Sequence, residues 1–221
     1  MKIYETLSQT QIQHKTKLMQ ALQKYLPQNA LEYCTELIMY HKLHLHIEVE
    51  RKSKYGDYSA HEGKGNRISI NHNLSRFEFL ITFVHELAHH TAHKKYGPSH
   101  DAHGEEWKKE FQQCMRPFFD MEIFPFDLKL TLAKHMKNPK YSQSADVKLL
   151  EVLRKYDSRK ANQPTLSQLP DGAFFKIKGN EIAMRRIEKL RTYVLCETLN
   201  GKKYRVHSMV EIEKPSEEKM K

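Results

Sequence analysis

A chain of 221 residues with 39% apolar residues, 10% aromatics and a net charge of +10 can bury one large core or two small ones, and it is too rich in rings for wholesale disorder. The excess of cations favours an anionic partner such as DNA, while Cys34, Cys114 and Cys196 are too few and too scattered for a disulfide framework or a cysteine zinc module. Met1 to Thr6 lacks the apolar run of a leader and no stretch is apolar enough to span a bilayer, so a cytoplasmic protein with no membrane partner is expected.

In chain order, Thr10 to Tyr40 reads as two helices broken near Pro27, with Leu18, Leu22 and Leu26 inward in the first and Leu31, Cys34, Leu37 and Ile38 in the second. The period then changes to two: Leu43, Leu45, Ile47 and Val49 alternate with His44, His46, Glu48 and Glu50, the pattern of a strand with one buried face. On that pattern His44 and His46 belong to an exposed polar face and not to a metal site. Gly56-Asp57 and Gly63-Lys64-Gly65-Asn66 mark turns, and Ile68 and Ile70 a second strand.

Ser75 followed by Glu78 makes a capping box, and Phe77, Leu80, Ile81, Val84 and Ala88 then recur at helical spacing. On this helix lies His85-Glu86-Leu87-Ala88-His89. Histidines four apart share one helix face, so both imidazoles can reach one ion at about 2.0–2.1 Å. Glu86 then stands beside the open ligand position as a general base.

Tyr96 to Gly104 is a loop by composition, followed by a helix with Trp107, Phe111 and Cys114 on its inner face. Pro117, Pro125 and the polar run Lys137-Asn138-Pro139-Lys140 close a first domain near residue 135. A connecting helix is expected between Ser144 and Tyr156, and a linker from Ser158 to Pro170. Short strands are expected at Ala173–Lys178, Ile182–Ile187, Thr192–Thr198, Lys203–His207 and Met209–Ile212, with a type I′ turn at Asn200-Gly201. The organisation expected is an α+β domain over 1–135, a helical connector and linker over 136–168, a small basic β-barrel over 169–215 and a charged tail over 216–221.

A catalytic zinc takes three protein ligands and leaves the fourth position open. The metzincin spacing would need a glycine and a histidine where this chain has Ala92 and Lys95, and is excluded. His103 is favoured as third ligand, since a loop can present it from a new direction; His93, His100, Glu106 and Glu110 remain competitors. His90 points off the motif face, in a surface or supporting position.

The pairing of His85-Glu86-Leu87-Ala88-His89 with His103-Gly104-Glu105-Glu106-Trp107, preceded by Arg67-Ile68-Ser69-Ile70-Asn71, resembles the SprT-like metalloprotease family over roughly residues 30 to 118. The resemblance implies a compact zincin-like domain, Zn2+ held by His85, His89 and His103, Glu86 as the catalytic residue, and a protein or peptide substrate. Its eukaryotic branch, the Spartan-like proteases, degrades proteins crosslinked to DNA. Many members carry a C-terminal cysteine zinc ribbon, which this chain cannot build; a basic β unit stands in its place. There Phe174, Phe175, Tyr193 and Tyr204 are interleaved with Lys176, Arg185, Arg186, Arg191, Lys203 and Arg205, a pattern suited to nucleic acid, although the rings also serve as core.

The function expected is a zinc-dependent metallopeptidase of the SprT-like type, hydrolysing peptide bonds in DNA-associated or misfolded proteins. The alternative is a zinc-containing nucleic-acid-binding or transcription-associated protein without protease activity. Which oxygen or nitrogen would stabilise an oxyanion is left open among Tyr55, Tyr58, Tyr96 and the spare histidines.

Overall fold

The computed structural model describes residues 7–51, 53–61, 65–142 and 145–213. The chain divides into two compact units, Met1–Pro139 and Lys140–Lys221. The turn expected at Gly63-Lys64 and the charged tail 216–221 lie outside the described residues. No helix among the described residues is long and apolar enough to cross a membrane, and all three cysteines are free thiols.

In the first unit α1 (Gln9–Leu22) and α2 (Gln28–Tyr40) form the expected helical pair, and the break falls at Pro27, which precedes α2. Lys15 on α1 reaches Glu32 and Glu36 on α2, both at 2.7 Å. Ala30, Leu31, Cys34, Leu37 and Ile38 are buried, as their helical spacing requires.

A three-stranded sheet follows, in the order β1-β3-β2, from β1 (Leu43–Glu48), β2 (Gly56–His61) and β3 (Gly65–Asn71). β1 runs parallel to β3 and β2 antiparallel to it. Gly56-Asp57, expected to be a turn, opens β2: Gly56 pairs with Ile70 and Asp57 with Ser69. The β1–β2 connection is tied across the sheet by Arg51, which donates to Asn71 Oδ1 at 2.8 Å and to Ser69 Oγ at 3.0 Å.

The central element is α3 (Arg76–Tyr96), whose Ser75 Oγ accepts the Glu78 N–H while Glu78 Oε2 accepts the Ser75 N–H. Phe79, Leu80, Ile81, Phe83, Val84, Leu87, Ala88 and Ala92 are all buried. A helix apolar around most of its girth must be covered on several sides, and α3 packs on β2, β3 and α4 (Glu105–Asp120). It ends at Gly97, whose φ of +79° is a conformation that favours glycine. Of the prolines expected to mark the approach to the domain end, Pro117 lies inside α4 and Pro125 caps a further helix, α5 (Phe126–Met136).

In the second unit Asp146 caps α6 (Val147–Lys155), which buries Leu149, Leu150 and Leu153. Arg154 then donates to the Lys160 and Gln163 carbonyls at 3.0 and 3.1 Å and pairs with Glu211 at 3.3 Å. Leu166, in a short 3-10 turn, joins Phe175, Met184, Val194, Cys196 and Ile212 in one core. The sheet is built from β4 (Phe174–Ile177), β5 (Ala183–Lys189), β6 (Tyr193–Thr198), β7 (Lys203–His207) and β8 (Ile212–Glu213), in the order β7-β6-β5-β4-β8, with every pairing antiparallel.

Where a small SH3-like barrel is expected, the sheet is an antiparallel half-barrel: among the described residues β7 and β8 end it without pairing to each other. Met209, expected in the last strand, lies in a turn before it: the Val210 and Ser208 carbonyls are taken by the Leu166 and Ser167 N–H groups. The β6–β7 turn also differs from expectation. Gly201 has φ +79° and donates to the Thr198 carbonyl at 2.9 Å, but Asn200 does not have the positive φ that type I′ requires. The loop is a type I turn closed by glycine in the left-handed region.

Candidate metal centre

His85 and His89 lie one turn apart on α3, and the loop after Gly97 carries His103 back against them just before α4. Their Nε2 atoms form a nearly equilateral triangle: 3.2 Å from His85 to His89, 3.2 Å from His89 to His103 and 3.3 Å from His103 to His85. Nitrogens held about 2.0–2.1 Å from one tetrahedral ion stand about 3.3 Å apart, so the donor set fits a metal without rearrangement. Among the described residues this is the group of three or more potential ligands that converges on one point.

Burial pushes the pKa of His85 well below its ordinary value and that of His89 down to about 3, and each is lowered further by the neighbouring histidines. Burial lowers His103 as well. All three rings are therefore neutral at pH 7, with lone pairs that a cation can take. Trp107, fully buried on the first turns of α4, forms one wall of the site: its ring centroid is 4.7 Å from those of His85 and His103 and 5.4 Å from that of His89. Phe111 stacks behind it at 5.1 Å.

Glu86 is only 5% exposed. Burial, and then Asp57, push its pKa up to about 8, against the opposing pull of Lys54, Arg51 and the Tyr58 backbone N–H that donates to it. The first residue of β2 approaches this carboxylate closely: a Cβ on Gly56 would fall 2.6 Å from Glu86 Oε1 and 2.6 Å from Thr82 Cγ2. Sequence spacing does not reveal this neighbourhood, since Gly56, Asp57 and Tyr58 reach Glu86 only through the pairing of β2 with β3.

The competitors for third ligand lie elsewhere. His93 packs near Tyr58, with ring centroids 6.1 Å apart, and the His100 ring bonds the Gly97 carbonyl at 2.7 Å. Glu110 is taken by Lys95 at 2.8 Å, and Glu106 is outside the converging group. His44 and His46 are exposed on β1. His90 is buried against His41 and Tyr58, and neither of its ring nitrogens has a hydrogen-bond partner among the described residues. The hydroxyls of Tyr58 and Tyr96 are engaged by Asn66 and Glu110.

In the second unit the expected basic surface separates into two sets. Lys176 is 9% exposed and pairs with Glu181, Arg186 is 7% exposed and pairs with Asp171, and Arg185 pairs with Glu197. Arg191, Lys203 and Arg205 are exposed. Of the aromatics, Phe175 is in the core, whereas Phe174, Tyr193 and Tyr204 are exposed.

No curated protein and no solved structure matches the chain. Residues 38–135, which carry β1 to α5, the three histidines and Glu86, match the Peptidase_M78 family model, described as the IrrE N-terminal-like domain. The sequence motifs resemble the SprT-like family, whereas the matching model is the IrrE-like one; in both respects this stretch is similar to metallopeptidase-like domains.

Proposed function

We propose that the first unit is a zinc-dependent peptidase of the SprT-like type, with His85, His89 and His103 as the metal ligands and Glu86 as the catalytic residue. The observation that carries this reading is the Nε2 triangle of 3.2–3.3 Å sides with a buried carboxylate on the adjoining residue. A purely structural metal site has no use for such a carboxylate.

Zinc, when bound, polarises a substrate carbonyl and lowers the pKa of a water to about 7. The three neutral imidazoles of His85, His89 and His103 would hold the ion through Nε2. Glu86, made more basic than an ordinary glutamate by burial, accepts the proton of the attacking water on a carboxylate oxygen and passes it to the leaving amine nitrogen. Trp107 and Phe111 keep bulk water off the back of the site. β2 is an edge strand beside Glu86, so an extended peptide can pair with its outer backbone groups.

The net charge of +10 and the separate basic unit favour substrates among DNA-associated proteins. Incubation of the purified protein with casein, histone and labelled DNA, with and without added DNA and chelator, tests the reading. Chelator-sensitive cleavage of protein supports it, and cleavage of DNA alone would replace it with a nuclease. Metal content of one ion per chain with no proteolysis on any substrate would favour the alternative of a zinc-containing, nucleic-acid-binding or transcription-associated protein, which the regulators within the matched family also represent.

A further inference from the structure

We propose that the outward face of β6 and β7 binds single-stranded nucleic acid, with Lys203 and Arg205 following the phosphates and Tyr193 stacking on a base. The inference does not depend on the peptidase reading, because every residue it uses lies in the second unit.

Side chains alternate across a sheet. On β6, Val194 and Cys196 face the core, so Tyr193, Leu195 and Glu197 face outward; on β7, Val206 packs on the core, so Lys203, Arg205 and His207 face outward. The register sets Tyr193 opposite His207, Leu195 opposite Arg205 and Glu197 opposite Lys203. Among the six outward residues of β6 and β7 the carboxylate is Glu197, which is bound by Arg185 at 3.0 Å; exposed Glu188 of β5 stands opposite Leu195, on the side of the row away from β7. Lys203 and Arg205 form no ion pair among the described residues, and Arg191 is exposed two residues before Tyr193.

The cations stand two residues apart on a strand, about 6.6–6.8 Å, a step comparable with that of successive phosphates in a stretched single strand. Beside them Tyr193 is 44% exposed, and its ring meets the His207 ring edge-on at 5.7 Å. His207 is itself fixed, since its Nδ1 accepts the Met209 N–H at 3.2 Å. Among the described residues β7 is the edge of the sheet, so no strand pairs beyond this row. Cations alone would suit any acidic polymer; an exposed, braced aromatic ring next to them selects one that carries bases.

The test is fluorescence anisotropy of the full chain with a labelled oligothymidylate at low salt. Tyr193→Ala is expected to weaken binding roughly 5- to 100-fold, as loss of one base stack does, and Tyr193→Phe to bind within about twofold of wild type. Lys203→Glu with Arg205→Glu should weaken binding at least tenfold and flatten the salt dependence by about 1.4 in log–log slope, near 0.7 per lost phosphate contact. The control Lys129→Glu with Lys134→Glu, an equal charge change on exposed positions of α5, should leave binding unchanged. Thermal melts matching wild type confirm that each variant is folded. No binding at low salt, equal loss in the α5 control, or equal affinity for duplex DNA or polyglutamate would overturn the proposal.

Discussion

Gly56 and Glu86 are in contact: a methyl group on Gly56 would come within 2.6 Å of Glu86 Oε1 and 2.9 Å of its Cγ. The backbone of β2 is thereby seated directly on the carboxylate, and the Tyr58 N–H reaches it from the same strand. Gly56 is not among the glycines with positive φ, so the position requires glycine for proximity and not for backbone conformation.

Gly56→Ala should therefore either push Glu86 off its position or lift β2 from α3. Overpacking of this kind costs about 1–3 kcal/mol, to be read as a lower urea midpoint at unchanged slope. Proteolytic activity should fall at least tenfold while metal content, measured by elemental analysis, stays at the wild-type level. Unchanged stability together with unchanged activity would show that the β2–α3 seat has no part in the site.

Glu86→Gln keeps the shape of the side chain and removes its basicity. Loss of general-base catalysis costs about 10²- to 10⁴-fold, and the three histidines are untouched, so the variant should bind metal as wild type does and fail to cleave. A Glu86→Gln protein that cuts at the wild-type rate would remove Glu86 from the mechanism and leave the metal site standing.

How far the sequence discloses this arrangement depends on the range of each interaction. The capping box of Ser75 and Glu78, the burial of α3 and the shared face of His85 and His89 are set within a few residues, and all are legible. β2 is not: Gly56-Asp57 has turn chemistry, and only pairing with Ile70 and Ser69 makes it a strand. Pro125 reads as one sign of an approaching domain end, yet a proline at a helix start costs no hydrogen bond, and α5 begins directly after it. Five short strands suggest a barrel, but closure depends on whether β7 meets β8, which no local pattern encodes. Likewise, a list of cations does not tell that Lys176, Arg185 and Arg186 face Glu181, Glu197 and Asp171.

His103→Ala should remove most of the bound metal, since two imidazoles on one helix turn give a far weaker site than three. Trp107 is the only tryptophan of the chain and touches all three histidine rings. Its emission should change as zinc is titrated into metal-free protein, saturating at one equivalent, and the change should be lost or shifted to much higher zinc in His103→Ala. Zinc content in His103→Ala equal to wild type would return the third position to His93, His100 or a glutamate.

The metal-free protein should also carry a pH signature of Glu86. Its pKa is raised from the ordinary 4.5 to about 8, so the folded state prefers the protonated form. The stability this group contributes is whole below about pH 4.5 and is lost as pH rises towards 8; at pH 7 the loss is about 3 kcal/mol, near 1.4 kcal/mol per unit. Glutamine cannot ionise and escapes it. His85 and His89, with lowered pKa values, act in the other sense and cost stability as pH falls below about 6.5, but they do so equally in both proteins. The melting temperature of Glu86→Gln minus that of wild type, both stripped of metal, should thus be near zero at pH 4.5 and grow steadily to pH 8. Zinc should shrink the difference, because a cation beside the carboxylate favours its charged form. A difference that stays flat from pH 4.5 to 8 would mean that Glu86 is already ionised in the folded protein, and that burial is not what makes it basic.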